Sequence, residues 1–486
     1  MNISIKRAQN DACIGSAERE KYGTQFKKTF RFLSMAALLV VGAIMTGCSN
    51  EDNIDNPQQP ANIDNVVTLT ATVSLDGGAA TRAIDGTTGA KTFETGKQIA
   101  VIYKNTSSKT VKAVSTDFTP LTDATKATFT VTLTNPASNS AIRYIYPATM
   151  AKDVAEDATI TDDDATIDYT GLLGSQDGTL ATLANYDLAV KDATLSGTDL
   201  PASVTLTNPL AICKFTLTDG SSAITSTVNS LNVSDGTNTY HVTPSGLDAI
   251  YVAMKPVASH NIAFTAATGS KTYFKTTASA QTLTASTLYT KITVSMVELA
   301  RGSVICSDGS VYASKGAATS ASKTPVAMIA YLGSDNGEAA PYNHGLALAM
   351  SDANDGGNYF KWSTSSTKIH TYNPTSDSFA SESGLHYKDA THNNNTYPAF
   401  KAAIANNSTA APTGCSAWFL ASGYQWKKMF AGDAGGLKTL AGLQSDDYWS
   451  STEYYAGHAW LFYSDDGDWD YDSKGNVYLV RSCLAF

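Results

Sequence analysis

Charge is scarce in this sequence, and basic charge is not concentrated anywhere beyond the N-terminal leader. Charged residues make up 16% of the chain against 43% hydrophobic residues, and the formal net charge is −10. A nucleic-acid-binding protein needs a basic patch or stripe that meets the phosphates. The composition therefore excludes nucleic acid as a partner. The frequent Thr and Ser instead suit β-proteins, whose strands favour Thr on faces that meet solvent.

Histidine is also rare, with seven in 486 residues. Five of them lie in the C-terminal part, and His344, His386, His392 and His458 among these lack the spacing of metal ligands. Zinc sites and Ser-His-Asp triads need His beside further ligands or partners in defined geometry. Neither a zinc site nor a catalytic triad is predicted, and we expect no enzyme.

The few cysteines do not form a disulfide framework. Cys13 and Cys48 fall in the N-terminal leader. Cys213 lies on the same face of a predicted strand as Phe215 and Leu217, so we expect its side chain in a core. The three that remain are Cys306, Cys415 and Cys483. Three cysteines cannot all pair, so one bridge among them is the most that the sequence allows.

The first 48 residues have the layout of a secretory signal. A basic stretch precedes the apolar run Phe32–Met45, which is too short to span a bilayer as a helix. The run leads into Thr46-Gly47-Cys48, and small residues before a cysteine resemble the lipobox of bacterial lipoproteins. The resemblance implies that residues 1–48 are a lipoprotein signal peptide and that Cys48 is acylated; the alternative is an ordinary signal peptide. Glu51 and Asp52 follow as in the surface-export signal of Bacteroidetes lipoproteins, which implies a lipid-anchored, surface-exposed position on the outer membrane.

Strand patterns begin after a tether at residues 49–65, which is rich in Asn, Asp, Pro and Gln. Short alternating runs separated by turn signals continue to about residue 297 and predict antiparallel β-sandwiches. The hexapeptide Val-Thr-Leu-Thr-Asn-Pro occurs at Val131 and again at Val204, which indicates two related sandwiches, at 66–200 and 201–297. The clearest strand is 66–75. Its apolar face carries Val67, Leu69, Ala71, Val73 and Leu75.

The composition changes after residue 300, where all six tryptophans lie. Helical patterns mix with strand patterns, so residues 298–486 are predicted to form an α+β domain. Four tryptophans are expected in its core, namely Trp418, Trp426, Trp449 and Trp460. Trp362 and Trp469 stand in polar surroundings and are the better candidates for stacking on a ligand.

Residues 66–297 resemble the fimbrillin family, the pilus subunits of Bacteroidetes. The resemblance is carried by the alternating first strand, Ala80-Thr81-Arg82-Ala83, Phe93–Val101, Tyr144–Ala148, Leu210–Phe215 and Leu288–Val294, in this order. It implies a mainly β chain with two tandem transthyretin-like sandwiches and Greek-key connections. Sandwich repeats of other surface lipoproteins are the competing interpretation.

The fimbrillin resemblance also implies a processing step. In that family an Arg-specific protease cuts between the first strand and the rest, and a strand from a neighbouring subunit replaces the lost one. Here the cut would follow Arg82, leave Ala83 as the new N-terminus, and remove the first strand together with the lipid on Cys48. Other fimbrillin subunits would then be partners through donor-strand exchange. The alternative is that Arg82 is a loop arginine and the strand stays.

Residues 301–486 resemble the Trp-rich C-terminal domains of many Bacteroidetes surface proteins, which are related to the C-type-lectin-like fold. The motifs are Pro325–Tyr331, His344–Ala349, Trp418–Trp426, Tyr448–Glu453 and Val480–Phe486. A shaft fimbrillin ends in the strand that it donates, whereas here a further domain follows. We therefore expect a tip subunit of the fimbrium that accepts a strand but has no free tail to give. Its last domain is expected to bind a host or microbial surface ligand such as a glycan.

An acidic stretch in this last domain is a second candidate for ligand binding. Five aspartates lie within eight residues around Trp469, at positions 465, 466, 468, 470 and 472. Calcium prefers such oxygen ligands, but the spacing is not that of an EF-hand. Alternation with aromatic residues is typical of the solvated face of a hairpin strand, which we prefer over a calcium site. The ligand-binding candidates are therefore Trp362, Asp465, Asp466, Asp468, Trp469 and Asp470.

Two further functions stay open. The chain is an uncleaved, lipid-anchored binding protein or pilus anchor subunit if Arg82 is not cut. A glycan-active enzyme, or an oxidase like the formylglycine-generating enzymes, is the third hypothesis. Cys415 and Cys483 lie in fold motifs rather than in a reactive pair, and a shared fold does not carry activity.

Overall fold

A computed structural model describes residues 65–75, 92–186, 188–220, 222–224, 226–245, 249–354, 359–369, 382–388, 391–431 and 434–486. All of them belong to one compact unit that runs from Ile63 to Phe486. The predicted signal peptide and most of the tether, with Cys48, lie outside the described residues, and so do Arg82 and Ala83. Strands dominate the described residues, and the helices are short.

The first sandwich consists, within these ranges, of two sheets with four strands each. Its elements are β1 Val66–Leu75, β2 Ala100–Lys104, β3 Thr110–Val114, β4 Thr119–Pro120, β5 Lys126–Thr134, β6 Ala141–Tyr146, α1 Asp163–Thr166, α2 Thr170–Gly174, β7 Ala189–Thr194 and β8 Ser203–Leu206. One sheet has the order β4-β5-β1-β8 and the other has the order β3-β2-β6-β7. Aromatic rings fill the space between them: Phe93 meets Phe118 edge to face at 5.0 Å, and Phe118 stacks on Tyr146 at 5.3 Å.

The pairing of β8 differs from the sequence-based expectation in two ways. β8 runs parallel to β1, with Val73 opposite Val204, although the sandwiches were expected to be antiparallel. β8 also lies beyond residue 200, where the first sandwich was expected to end, yet it completes the sheet of β1. The expected boundary rested on local turn signals, which do not reveal which earlier strand a segment joins.

The segment between β6 and β7 leaves the first sandwich and packs against the next sheet. Tyr169 and Leu172 of this segment lie in the same core as residues of the second sheet. Gln176 is buried, and its amide exchanges two hydrogen bonds of 2.9 Å with the backbone of Ala253. The first and second parts of the chain therefore share a core.

The second part forms an eight-stranded sheet and a separate two-stranded sheet. Its strands are β9 Ala211–Asp219, β10 Ser222–Ala223, β11 Val228–Ser234, β12 Thr239–Val242, β13 Ile250–Met254, β14 Val257–His260, β15 Ala263–Thr268, β16 Thr272–Thr276, β17 Gln281–Leu283 and β18 Thr287–Glu298. The order is β10-β9-β18-β16-β15-β11-β12, β13 also pairs with β9, and β14 pairs with β17. β18 runs parallel to β9, which is a second departure from the antiparallel expectation.

The C-terminal part is α+β, as predicted. Its elements are β19 Val304–Cys306, β20 Val311–Tyr312, α3 Lys315–Ser320, β21 Pro325–Leu332, β22 Gly345–Ala349, β23 Phe360–Lys361, α4 Pro398–Ala405, β24 Phe419–Leu420, α5 Gly423–Phe430, α6 Ala434–Ala441, β25 Asp447–Tyr455, β26 His458–Tyr463, β27 Trp469–Ser473, β28 Val477–Tyr478 and β29 Ser482–Ala485. The main sheet has the order β20-β19-β21-β22-β29-β24, beside the sheets β25-β26-β27 and β23-β28. Ser422 and Gln425 form a reciprocal capping box that starts α5.

The expectations about core residues are mostly confirmed. Trp418, Trp426, Trp449 and Trp460 are all buried, and so is Cys213. Among the described residues, no pair of cysteines forms a disulfide bridge. The free cysteines are Cys213, Cys306, Cys415 and Cys483. Burial, followed by the negative charge of Glu338, raises the pKa of the Cys483 thiol.

No helix among the described residues combines the length and the apolar character that crossing a membrane requires.

Candidate functional site

The first candidate site is the position of β1 in the interior of its sheet. β1 lies between β5 and β8, and it pairs with β5 along almost its whole length, from Val66 opposite Thr134 to Ser74 opposite Lys126. On the other side the four residues from Thr72 to Leu75 pair with β8. A strand with partners on both sides leaves two open edges when it is removed.

The inner face of β1 is the one that the sequence predicted. Ala71, Val73 and Leu75 are buried, at 3%, 0% and 6% exposure, whereas Val67 and Leu69 are half-buried. Leu69, Ala71, Val73 and Leu75 contribute to the core of the first sandwich, together with residues of β6. The burial increases along the strand, so its C-terminal half carries most of the contacts that would be lost with it.

The outer face of β1 is held by hydroxyl groups. Thr68 and Thr70 lie 3.2 and 3.0 Å, oxygen to oxygen, from Thr132 and Thr130 of β5. These contacts are exposed, so water can replace them at little cost. The preference for apolar side chains at the place of β1 in the sheet therefore comes from the inner face of the strand.

The last strand of the second part, β18, is also interior. It lies between β9 and β16, and Val294 and Met296 are buried. The chain then continues into the C-terminal part, whose strand β29 lies between β22 and β24. Phe486 is fully buried, and its backbone carbonyl accepts a 2.8 Å hydrogen bond from the amide of His344.

Trp362 is not a ligand-stacking residue, contrary to the sequence-based prediction. Its side chain is fully buried, and its indole Nε1 donates a 2.7 Å hydrogen bond to the carbonyl of Ser450. Its ring meets Phe400 edge to face at 5.0 Å, and the ammonium of Lys474 lies 4.6 Å from the ring centroid. The sequence around Trp362 is polar and did not predict this packing, because the residues that contact Trp362 come from distant segments.

Trp469 is half-buried at the start of β27. The ammonium of Lys427 lies 4.9 Å from its ring centroid, and Phe462 lies 6.2 Å away, ring to ring. A cation over the ring uses the face that a sugar would stack on. The prediction that Trp469 takes part in ligand binding stays a prediction.

The acidic stretch lies on the hairpin of β26 and β27. Asp465, Asp466, Asp468 and Asp470 are exposed, whereas Asp472 is half-buried. Asp465 forms an ion pair with Lys438, and this interaction lowers the pKa of the aspartate. The exposed carboxylates are thus held by local contacts rather than gathered around one point.

The nearby carboxylates nonetheless influence one another. Burial, followed by the negative charges of Asp446, Asp465, Asp470 and Asp472, raises the pKa of Asp447. In the part of the chain that the structure describes, no three His, Cys, Asp or Glu side chains are grouped so that they could hold a metal ion.

A strip of aromatic rings beside this hairpin was missed by the sequence analysis. We call Tyr454, Tyr455, His458 and Tyr471 the aromatic strip. Tyr454 stacks on Tyr471 at 3.9 Å and Tyr455 stacks on His458 at 4.4 Å, while Tyr455 and Tyr471 are each 42% exposed. The pairing of β26 with β27 and a bulge in β25 bring these rings together. No local sequence pattern predicts either feature.

The comparisons with known proteins give loose likenesses. No protein-family model matches the chain, and no curated protein matches it. The chain is similar to a fimbrial protein from Bacteroides ovatus at 15% sequence identity, over 87% of this chain and 100% of that one, with a TM-score of 0.33. It is also similar to a fimbrial assembly protein from Parabacteroides distasonis at 10% identity, over 46% of this chain and 89% of that one, with a TM-score of 0.23. TM-scores this low do not establish a shared fold.

Proposed function

We propose that the chain is the precursor of a fimbrial tip subunit, which loses β1 after cleavage at Arg82 and then accepts a strand from another subunit. The observation that carries the proposal is the interior position of β1 between β5 and β8. A strand at a sheet edge could be lost with little effect on its neighbours. A strand inside a sheet leaves a slot of its own shape.

Binding of another strand in the place of β1 would be energetically favourable. Burying a large aliphatic side chain stabilises a protein by about 1.5–3 kcal/mol, so the positions of Val73 and Leu75 alone represent about 3–6 kcal/mol. Removal of β1 also uncovers the inner side of β5, where Phe129 and Val131 are buried. Unpaired backbone groups along β5 and β8 would bind an extended segment by β-strand addition.

The arginines of the described residues are poor targets for an Arg-specific protease. Arg143 and Arg481 are buried, at 4% and 1% exposure. Arg301 donates a 3.0 Å hydrogen bond to the carbonyl of Met429. Arg82 follows β1 in a segment rich in Gly and Ala, and a cut there would detach Cys48 and its lipid from the rest of the chain.

Two features favour a tip over a shaft subunit. β18 is the strand that would be donated in a shaft subunit, and here it is held between β9 and β16. The α+β part that follows it displays the exposed rings of Tyr455 and Tyr471, which suit a surface for ligand binding. The ligand-binding role of this lectin-like domain at the cell surface is part of the proposal.

Peptide uptake tests strand replacement directly. The chain from Ser49 to Phe486 is cut with an Arg-specific protease, the detached segment with β1 is removed in urea, and a fluorescent peptide with the sequence Val66–Leu75 is added as the urea is diluted. The cut chain should bind the peptide with a rise in anisotropy, whereas the uncut chain and an uncut Arg82→Ala variant should not. A peptide carrying Val73→Asp is the matched control and should not bind. Equal uptake by cut and uncut chains, or equal uptake of the two peptides, would refute the mechanism.

A further inference from the structure

We propose that a cleft between the second sheet and the C-terminal part binds a neutral, hydroxyl-rich ligand, namely a sugar unit of a glycan. The cleft has a volume of about 420 Å³ and is walled by the turn between β15 and β16 on one side and by the loop between β21 and β22 on the other. Small-ligand pockets of about 300–1,000 Å³ are found preferentially at such domain junctions. The inference deepens the ligand-binding part of the proposed function and does not depend on cleavage at Arg82.

A chain of hydrogen bonds joins the two walls beside the cleft. Asn232 of β11 faces the carbonyl of Pro341, and a carbonyl can only accept, so the amide nitrogen Nδ2 of Asn232 points there. The same nitrogen lies 3.2 Å from Nδ1 of His344, a ring that also has the carbonyl of Pro341 as a hydrogen-bond partner. The amide oxygen of Asn232 in turn accepts a 2.8 Å hydrogen bond from Nδ1 of His241.

The hydroxyl of Ser230 lies at the end of this chain, and Ser230 also lines the cleft. Its Oγ lies 3.0 Å from Nε2 of His344. A hydroxyl has one donor and two acceptor positions, so Ser230 keeps the capacity for a hydrogen bond with a ligand whichever way its bond with the ring runs. Burial lowers the pKa of His344, which keeps the ring neutral.

Asn343 adds an acceptor to the lining. It lines the cleft, and its buried side-chain oxygen Oδ1 has no hydrogen-bond partner. A buried acceptor without a partner is unfavourable, and a hydroxyl group of a ligand can satisfy it after a rotation of the amide. The hydroxyl of Ser230 and the acceptor of Asn343 in one cleft suit a ligand whose groups both donate and accept, as sugar hydroxyls do.

The charges at the cleft favour a neutral ligand. Lys271 and Glu298 line it together, and their charged groups lie 2.6 Å apart, so each compensates the other. The remaining polar lining consists of Ser, Thr and Asn side chains together with His344, which is neutral. A carboxylate or ammonium group on the ligand would have to compete with this ion pair.

Ligand-observed NMR on the uncut chain from Ser49 to Phe486 tests the site. The probes are galactose, mannose, N-acetylglucosamine and lactose as neutral sugars, with glucuronate and glucosamine as charged ones, each at millimolar concentration. At least one neutral sugar should bind, and the charged sugars should bind at least fivefold more weakly. Asn343→Leu and Ser230→Ala should each weaken binding of that sugar by about fivefold or more.

Two variants serve as controls. Asn395→Leu changes an exposed asparagine away from the cleft and should leave the affinity unchanged, and Tyr471→Ala removes a ring of the aromatic strip. The proposal is overturned if no neutral sugar binds, if the charged sugars bind equally well, or if Asn343→Leu binds as the unchanged chain does. Loss of binding in Tyr471→Ala alone would assign the ligand to the strip instead. Because the chain is uncut, these outcomes are independent of whether β1 is ever removed.

Discussion

Val73 of β1 lies opposite Val204 of β8 in a parallel pair, and both side chains are buried in the core of the first sandwich. The contact joins the start of the described chain to the last strand of this sandwich. It closes the sheet on the side away from β5. A chain that lacks β1 would therefore have a sandwich that is complete except for one interior strand.

The inner face of β1 should be intolerant of charge in the uncut chain. Val73→Asp places a carboxylate among apolar side chains and should lower the free energy of unfolding by about 3–5 kcal/mol. Thr70→Asp introduces the same group on the exposed face of the same strand, and its effect should stay within about 1 kcal/mol. Urea unfolding followed by circular dichroism measures both. Similar losses in the two variants would show that β1 is not oriented as described.

The buried ion pair in the C-terminal part should matter more than an exposed one. Lys474 and Glu453 are in contact with side-chain exposures of 3% and 0%, and burial lowers the pKa of Lys474. Lys474→Met would leave the carboxylate of Glu453 buried without its cation and should cost about 3–5 kcal/mol. Adding Glu453→Gln should recover a large part of this loss.

The matched control for that pair is Lys438→Met, which removes the cation beside the exposed Asp465. Exposed pairs contribute about 0–1 kcal/mol, so this variant should unfold at nearly the same denaturant concentration as the unchanged chain. Thermal or urea unfolding of the three variants under one set of conditions gives the comparison. A Lys474→Met variant as stable as Lys438→Met would contradict the buried position of the pair.

Stability should fall between neutral and mildly acidic pH because of His344. Burial, followed by the effect of His241, lowers the pKa of His344 from 6.5 to about 4. Above pH 6.5 the ring is neutral in both states and contributes nothing. As the pH falls below 6.5 the unfolded chain takes up a proton that the folded chain does not, so up to about 3 kcal/mol of stability is lost by pH 4.

The contribution of His344 can be isolated by substitution. His344→Gln removes the titrating group, so the loss of stability between pH 7.5 and pH 4.5 should be smaller than in the unchanged chain. Urea unfolding at the two pH values provides the four free energies required. An equal loss in both chains would mean that other groups, such as the carboxylates, account for the acid sensitivity.

Local sequence patterns predicted the features that depend on neighbouring residues in the chain. Alternation along 66–75 identified β1 and its inner face, because successive side chains of a strand point to opposite sides. The inward position of Cys213 followed from the same alternation. The change in composition after residue 300 predicted an α+β part, and the four tryptophans expected in a core are buried.

Features that depend on distant partners could not be predicted. Trp362 has polar neighbours in sequence, and only the packing of Phe400 against it reveals that it is buried. The parallel placement of β8 beside β1 depends on the path of the chain between them. The bond between Asn232 and His344 joins two parts of the chain that no single pattern spans, so the cleft beside it has no signature in the sequence.

Identifying the N-terminal residue of the mature protein on the surface of the bacterium that produces it tests the central claim most directly. Surface fractions are digested, and the first residue is identified by mass spectrometry. The account predicts Ala83, because cleavage after Arg82 removes β1 and the lipid-bearing Cys48 together. An N-terminus at acylated Cys48 alone would contradict it and indicate an uncut, lipid-anchored surface protein or a basal pilus subunit.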